Sequence, residues 1–231
     1  VSLRDMDAAM TELQRAIGQL GACGVQIFTD VAGRPMDDPE FDPLFAAMKG
    51  YGLPIWLHPT RTPGMPDFAA ESTSQFDLWL VLGWPYATAA TMLRLVLAGL
   101  FERHVGLKII THHMGGMIPF HEERIAGALH RLGLKAAKEE NGSGGPYMRR
   151  PPMEMLKMFY GDTAMHGAVE ATRCGLAFFG ANNTVFATDC PFGSIRKGLD
   201  MIERLGLEVR AKQKILNGNA RRLLGGTRFD R

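Results

Sequence analysis

The feature that most constrains this chain is a recurring pair: a short, almost purely apolar run, then a stretch with helical spacing. Gly24–Thr29, Leu53–His58, Gly106–His113, Leu156–Tyr160 and Thr184–Ala187 read as strands. Asp5–Leu20, Pro39–Met48, Ala87–His104, Phe120–Leu132, Ile195–Leu205 and Val209–Leu224 read as helices. In the first of these, Met6, Ala9, Met10, Leu13, Ile17 and Leu20 recur at helical intervals and Gly21 supplies a stop. Apolar runs without in-out alternation belong to strands covered on both faces, which means a parallel sheet flanked by helices. Two layouts fit five β→α units in succession: an open doubly wound sheet or a closed barrel. The open sheet usually carries a glycine-rich nucleotide turn after its first strand, and this sequence has none. Polar residues instead gather where several strands end, as in barrel enzymes. The expected fold class is therefore α/β, a (β/α)8 TIM barrel, in a single domain over residues 1–231 with long loops at 60–75 and 139–152.

Composition narrows the function. The 231 residues are 46% hydrophobic, enough for one sizeable core, although a complete barrel typically needs about 250 residues or more. Net charge is +2, with Lys and Arg dispersed among Asp and Glu, so no nucleic-acid partner is expected. No apolar run approaches the ~20 residues of a membrane span; the most apolar stretch, Met92–Phe101, contains Arg94. Residues 1–20 read as an amphipathic helix rather than a leader. Three cysteines, without CxxC spacing, favour a reducing compartment, and the expected location is the cytoplasm. The first residue is Val, which points to a processed or trimmed chain.

Four strand ends carry chemistry. His58 closes an apolar strand immediately before Pro59, so its imidazole projects from the strand end as a metal ligand or a hydrogen-bonded structural histidine. Thr111-His-His-Met-Gly-Gly-Met-Ile-Pro119 places two histidines before a Gly-Gly turn that admits close backbone approach to a ligand. Strand alternation puts His112 and His113 on opposite sides, so only one faces a site easily. Asp189, in Phe186-Ala-Thr-Asp-Cys-Pro-Phe192, can hold a metal, move a proton, or cap a following helix. Asp162 and Thr163 also end a strand and could line the pocket, but a cap for a helix starting near Ala164 is the preferred reading. Cys190 reads as a packed, inert thiol. Arg61 can pair with a substrate carboxylate or stand solvated. Trp56, Trp79 and Trp84 read as core, with Trp79 and Trp84 also placed to cover an aromatic substrate or a subunit contact.

Four blocks together resemble the amidohydrolase-2 family, which includes aminocarboxymuconate semialdehyde decarboxylase and the γ-resorcylate-type decarboxylases. They are Leu53–Pro59, His113–Pro119, Ala187–Phe192 and Ile215–Leu224; Gly24-Val-Gln-Ile27 resembles the family's fourth strand. The resemblance implies a TIM barrel of the metal-dependent hydrolase type, of which this chain supplies roughly strands 4–8. It implies His58 and Asp189 as metal ligands, His113 and Asp189 as catalytic groups, and Arg61 and Phe192 as substrate contacts. The implied cofactor is a divalent metal, zinc first and manganese in some members. The implied reaction is decarboxylation, or hydrolysis by metal-activated water, of a small carboxylated or aromatic substrate. A homodimer or larger homo-oligomer is implied as well. The family's His-x-His pair, expected at the end of a first strand, occurs nowhere in these residues. That gap motivates two readings of the barrel. Either an upstream segment completes it, or the chain needs a partner to close its core. It also motivates the rival function: a truncated or degenerate, metal-free barrel with a binding role only.

Overall fold

The computed structural model describes residues 1–132 and 149–225. Residues 139–148 of the second expected loop lie outside the described residues. Helix α1 (Met6–Gly18) is opened by Asp5, whose carboxylate accepts the Ala8 N–H at 3.0 Å. It buries Ala9, Leu13 and Ile17. Strand β1 (Val25–Phe28) follows, then helix α2 (Asp42–Tyr51), which has proline in its first turn and Gly52 in the left-handed region just beyond its end. Next come β2 (Ile55–His58), α3 (Gly83–Leu97), β3 (Ile109–Thr111) and α4 (Glu122–Arg131). The chain continues through β4 (Tyr160–Asp162), α5 (Val169–Phe179), β5 (Thr184–Val185) and α6 (Ile195–Arg204). A helical run from Val209 to Leu223, wound as a π-turn over Lys214–Gly218, closes the described chain.

The five strands form one sheet in sequence order, every neighbouring pair parallel. That order places helices α2 to α5 as crossovers between adjacent strands, the arrangement of a barrel wall rather than of a sheet whose order reverses. Ile27, Ile55, Leu57 and Ile109 from the strands are buried in one core with Phe41, Phe45 and Met48, Met92 and Leu95, and Phe159. β1 and β5 are the outer strands. On β1 the burial alternates, with Val25 and Ile27 inside and Gln26 and Phe28 exposed.

Several expectations shift in detail. The helix expected over Ala87–His104 breaks where Gly99 takes φ 76°, so Leu100–Arg103 forms a separate turn. Leu156 ends a short helix, Pro152–Leu156, rather than beginning a strand; proline opens that helix, and β4 starts four residues later at Tyr160. The helix expected to start near Ala164 begins only at Val169, as α5. Its buried face is built from Thr172, Gly175, Phe178 and Phe179, which blurs the apolar period. A two-residue hairpin, Asp30–Val31 against Arg34–Pro35, follows β1. No helix among the described residues is long and apolar enough to cross a membrane.

The last helical run anchors the sheet. Buried Asn219 donates both amide hydrogens, to the carbonyls of Ala181 and Thr184 at 2.7 Å each. Phe186 N donates to the carbonyl of Ile215 at 3.0 Å. These bonds satisfy backbone groups around β5 and hold the segment that leads to Asp189.

At the far side, Asp42 Oδ1 accepts from His104 Nε2 at 3.0 Å and from Arg103 Nη2 at 3.1 Å. Partial burial pulls the Asp42 carboxyl upward, but these hydrogen bonds outweigh it and hold the group below its usual 3.8. The folded pKa thus lies under the unfolded one. The stabilisation is present above about pH 4 and is lost as pH falls through the folded value. Asp42→Asn is expected to cost about 1 kcal/mol near neutrality, with wild type and variant converging in acid. Urea melts over a pH series check this; a gap that stays constant into acid would rule out the ionised carboxylate as its source.

Candidate active site at the strand ends

The sheet register brings the polar strand ends to one level. Phe28 pairs with His58, Leu57 with Thr111, Thr111 with Gly161, and Asp162 with Val185. One residue past the Leu57–Thr111 pair, His58 stands beside His112, and one past the Thr111–Gly161 pair, His112 stands beside Asp162. The side chains follow. The rings of His58 and His112 meet edge to face with centroids 4.8 Å apart, and His112 Nδ1 lies 3.3 Å from Asp162 Oδ2. That approach lacks hydrogen-bond geometry, and both nitrogens of His112 are buried without a partner. Burial pushes the His112 imidazole below its usual range; the Asp162 carboxylate opposes this and the His58 and His113 imidazoles add to it.

His58 Nδ1 donates to the Pro59 carbonyl at 2.7 Å, which leaves Nε2 as the nitrogen with a lone pair. Its ring also packs against Trp84, at 5.3 Å between centroids, and Phe28, at 5.7 Å. His113 is held in the same way: Nδ1 donates to the Ala164 carbonyl at 2.5 Å. Its backbone N–H donates to Asp162 Oδ1 at 2.8 Å, and the same oxygen accepts from Ala164 N at 3.1 Å. Asp162 therefore caps backbone as expected, but it caps two turns at once, and no helix begins until Val169.

The expected alternation of His112 and His113 does not occur. The strand stops at Thr111, and His113 and Met114 take φ values of 53° and 52°. This left-handed turn carries both histidine rings to the same end of the sheet, with centroids 5.8 Å apart. The Gly-Gly turn packs closely against protein. A Cβ on Gly116 would lie 2.3 Å from the Pro85 carbonyl oxygen.

Asp189 is carried by an irregular segment after β5. The Thr163 hydroxyl ties that segment down, donating to the Ala187 carbonyl and accepting the Ala187 N–H, each at 3.0 Å. Asp189 itself takes φ 60°. Beside it stands His166, absent from the expected site, with Nε2 3.5 Å from Asp189 Oδ2 and its ring stacked on His113 at 5.9 Å and 28°. One donor atom from each of His113, His166 and Asp189 lies within 4.8 Å of the others. All three residues have positive φ, which costs roughly 1–3 kcal/mol each in non-glycine residues and concentrates at functional sites. Two imidazole nitrogens and a carboxylate are a donor set suited to zinc and other first-row divalent ions.

Of the residues expected in the site, His113 and Asp189 come together. His58 lies outside that cluster, on the His112 side. Arg61 is engaged by its own loop: Nη2 donates to the Pro66 carbonyl at 2.8 Å and lies 3.7 Å from Asp67 Oδ1. Asp67 also accepts from Ser74 Oγ and Gln75 N, so the 60–75 loop closes on itself. Trp84 Nε1 donates to the Arg61 carbonyl, and Trp79 meets Trp84 edge to face with centroids 5.8 Å apart. Phe192 is 87% exposed. His166 had one faint signal, a His-Gly pair four residues beyond a strand-ending Asp. A groove of about 490 Å³ lies elsewhere, between α3 and α4. Its apolar lining, including Leu93, Ile125 and Leu129, contains none of the three clustered residues.

Comparison with known proteins gives this arrangement a family. The chain is 28% identical over 222 residues to 2-amino-3-carboxymuconate-6-semialdehyde decarboxylase of Dictyostelium discoideum, covering 95% of this chain and 58% of that protein. It is 27% identical over 227 residues to γ-resorcylate decarboxylase of Rhodococcus jostii, covering 94% of this chain and 67% of that protein. Among solved structures, dihydroxybenzoic acid decarboxylase from a Polaromonas species, with bound manganese and the inhibitor 2-nitroresorcinol, superposes with a TM-score of 0.78 at 26% identity. That match covers 94% of this chain and 65% of the other. A 2,6-dihydroxybenzoate decarboxylase from Rhizobium superposes with a TM-score of 0.80 at 26% identity, over 96% and 68% of the two chains. The chain thus spans between about three-fifths and two-thirds of the length of these relatives, and its β→α units are those of a TIM barrel of the metal-dependent hydrolase type. The amidohydrolase family model matches residues 1–226, and the chain belongs to that family.

Proposed function

We propose that this protein acts as a divalent-metal-dependent decarboxylase of a small aromatic or unsaturated carboxylate. The observation that carries the reading is the convergence of Asp189 with two imidazoles within 4.8 Å at the strand ends of a barrel wall. Decarboxylation is preferred over hydrolysis because the relatives named above are decarboxylases. The cation would be held by Asp189 and His58, either as zinc or as the manganese seen in the Polaromonas structure. When bound, it would stabilise negative charge on the substrate's oxygens.

The chain's own residues would move the proton. The Ala164 carbonyl fixes the Nδ1–H tautomer of His113, so Nε2 is the atom that gives and takes a proton. As the bond to the carboxylate breaks, its electron pair stays on the substrate carbon. CO2 departs, and that carbon receives the proton from Nε2 of His113 in its imidazolium form, with Asp189 alongside to balance that charge; the neutral imidazole left behind takes its next proton from solvent. Arg61 would bind the substrate carboxylate after exchanging Asp67 for it, and Phe192 would cover the ring. On the same reading the substrate is a small molecule and the working form a homodimer or larger.

Dialysis against a chelator is expected to abolish CO2 release from hydroxybenzoate or carboxymuconate-type acids, and Mn2+ or Zn2+ to restore it. Release that survives complete metal removal would refute metal dependence. A metal-loaded protein inert toward the whole panel would refute decarboxylation.

A further inference from the structure

We infer that His166 is a ligand of the divalent cation held at Asp189, leaving His113 free to carry the proton. The inference rests on the reading of Asp189 as a metal-holding residue and adds a ligand to it. Of the three donors that lie within 4.8 Å of one another, His113 is the proton carrier on that reading, which leaves His166 as the imidazole beside Asp189 that is available to a cation.

The geometry is suited to the role. Two ligands about 2.0–2.2 Å from a tetrahedral ion stand roughly 3.3–3.6 Å apart; His166 Nε2 and Asp189 Oδ2 are 3.5 Å apart. His166 is not a core histidine, since its side chain is 55% exposed. Nor is it an ordinary surface residue. Its backbone takes φ 51°, a conformation that non-glycine residues adopt when their surroundings impose it. A tight loop imposes it: Met165 N donates to the Thr163 carbonyl, Ala168 N donates to the Met165 carbonyl, and Gly167 turns the chain at φ 93°. The loop starts from Thr163, whose hydroxyl also holds the Ala187 backbone, so His166 and Asp189 are set from one anchor. An exposed His–Asp ion pair would contribute little to stability, whereas a shared cation makes use of the strained loop.

The test is a Co2+ titration followed by visible absorbance, on wild type, His166→Asn and His130→Asn. Asn tolerates positive φ, and exposed His130 on α4 is the control. His166→Asn is expected to weaken Co2+ binding by about tenfold or more, and His130→Asn to leave it unchanged. In the wild type, the imidazole nitrogen resonance of His166 is expected to move on Zn2+ addition. A His166→Asn protein that binds Co2+ as wild type does overturns the inference while the proposed function stands. So does a His166 resonance that ignores Zn2+, even where the variant binds weakly or fails to fold. A wild-type protein that binds neither ion overturns both.

Discussion

Asp189→Asn is expected to lower decarboxylation by about 10³-fold or more, with bound metal falling alongside and thermal stability nearly unchanged. The reasoning separates chemistry from fold. Asp189 sits at φ 60°, where Asn is among the better-tolerated residues, so the backbone keeps its turn. The neutral amide removes the negative charge that faces His166 Nε2 at 3.5 Å, and with it the attraction for a cation and the balance for a protonated His113. Elemental analysis, a CO2 assay and a melting curve on the same preparation check all three parts. Turnover within tenfold of wild type would remove Asp189 from the proposed mechanism. A collapse of the melting temperature would instead make its role structural.

Gly116→Ala is expected to destabilise the protein by about 3 kcal/mol or more, combining backbone strain with overpacking. Gly116 takes φ 61° and ψ −113°, a region closed to side chains. The added Cβ would also lie 2.3 Å from the Pro85 carbonyl oxygen and 3.2 Å from Pro85 Cα, a clash with backbone that no rotamer change relieves. The strain falls three residues after His113, so the turn that aims that histidine moves too. Gly50→Ala is the matched control. It lies within α2 with nothing inside 4 Å of the new Cβ, and is expected to be neutral or to stabilise by up to about 1 kcal/mol. Equal melting temperatures for the two variants would refute the packing argument.

The sequence by itself determined the class of the fold and the places where chemistry can sit. Apolar runs such as Leu53–Leu57 and Lys108-flanked Ile109–Ile110 must be covered on both faces, and a strand that ends in His58-Pro59 must end there, because both are local consequences of side-chain chemistry. Five parallel strands in sequence order follow from that pattern. The span of helix α5 was not legible, because Gly175 and Thr172 occupy its buried face. Gly175 is required there because a Cβ would come within 2.6 Å of Met114, a contact between segments distant in sequence.

The composition of the site was decided by tertiary structure. Register, rather than motif, set His112 beside His58 and Asp162. Left-handed turns at His113, His166 and Asp189 gathered three side chains that a regular strand would have dispersed. Such turns in non-glycine residues are locally unfavourable and persist only when distant partners hold them. Here the partners are Asp162 Oδ1, the Ala164 carbonyl and the Thr163 hydroxyl. The same holds for Arg61, whose guanidinium is held by Pro66 and Asp67 of its own loop. Side-chain type sets what a strand end can do; hydrogen bonds between segments far apart in sequence set which strand ends do it together.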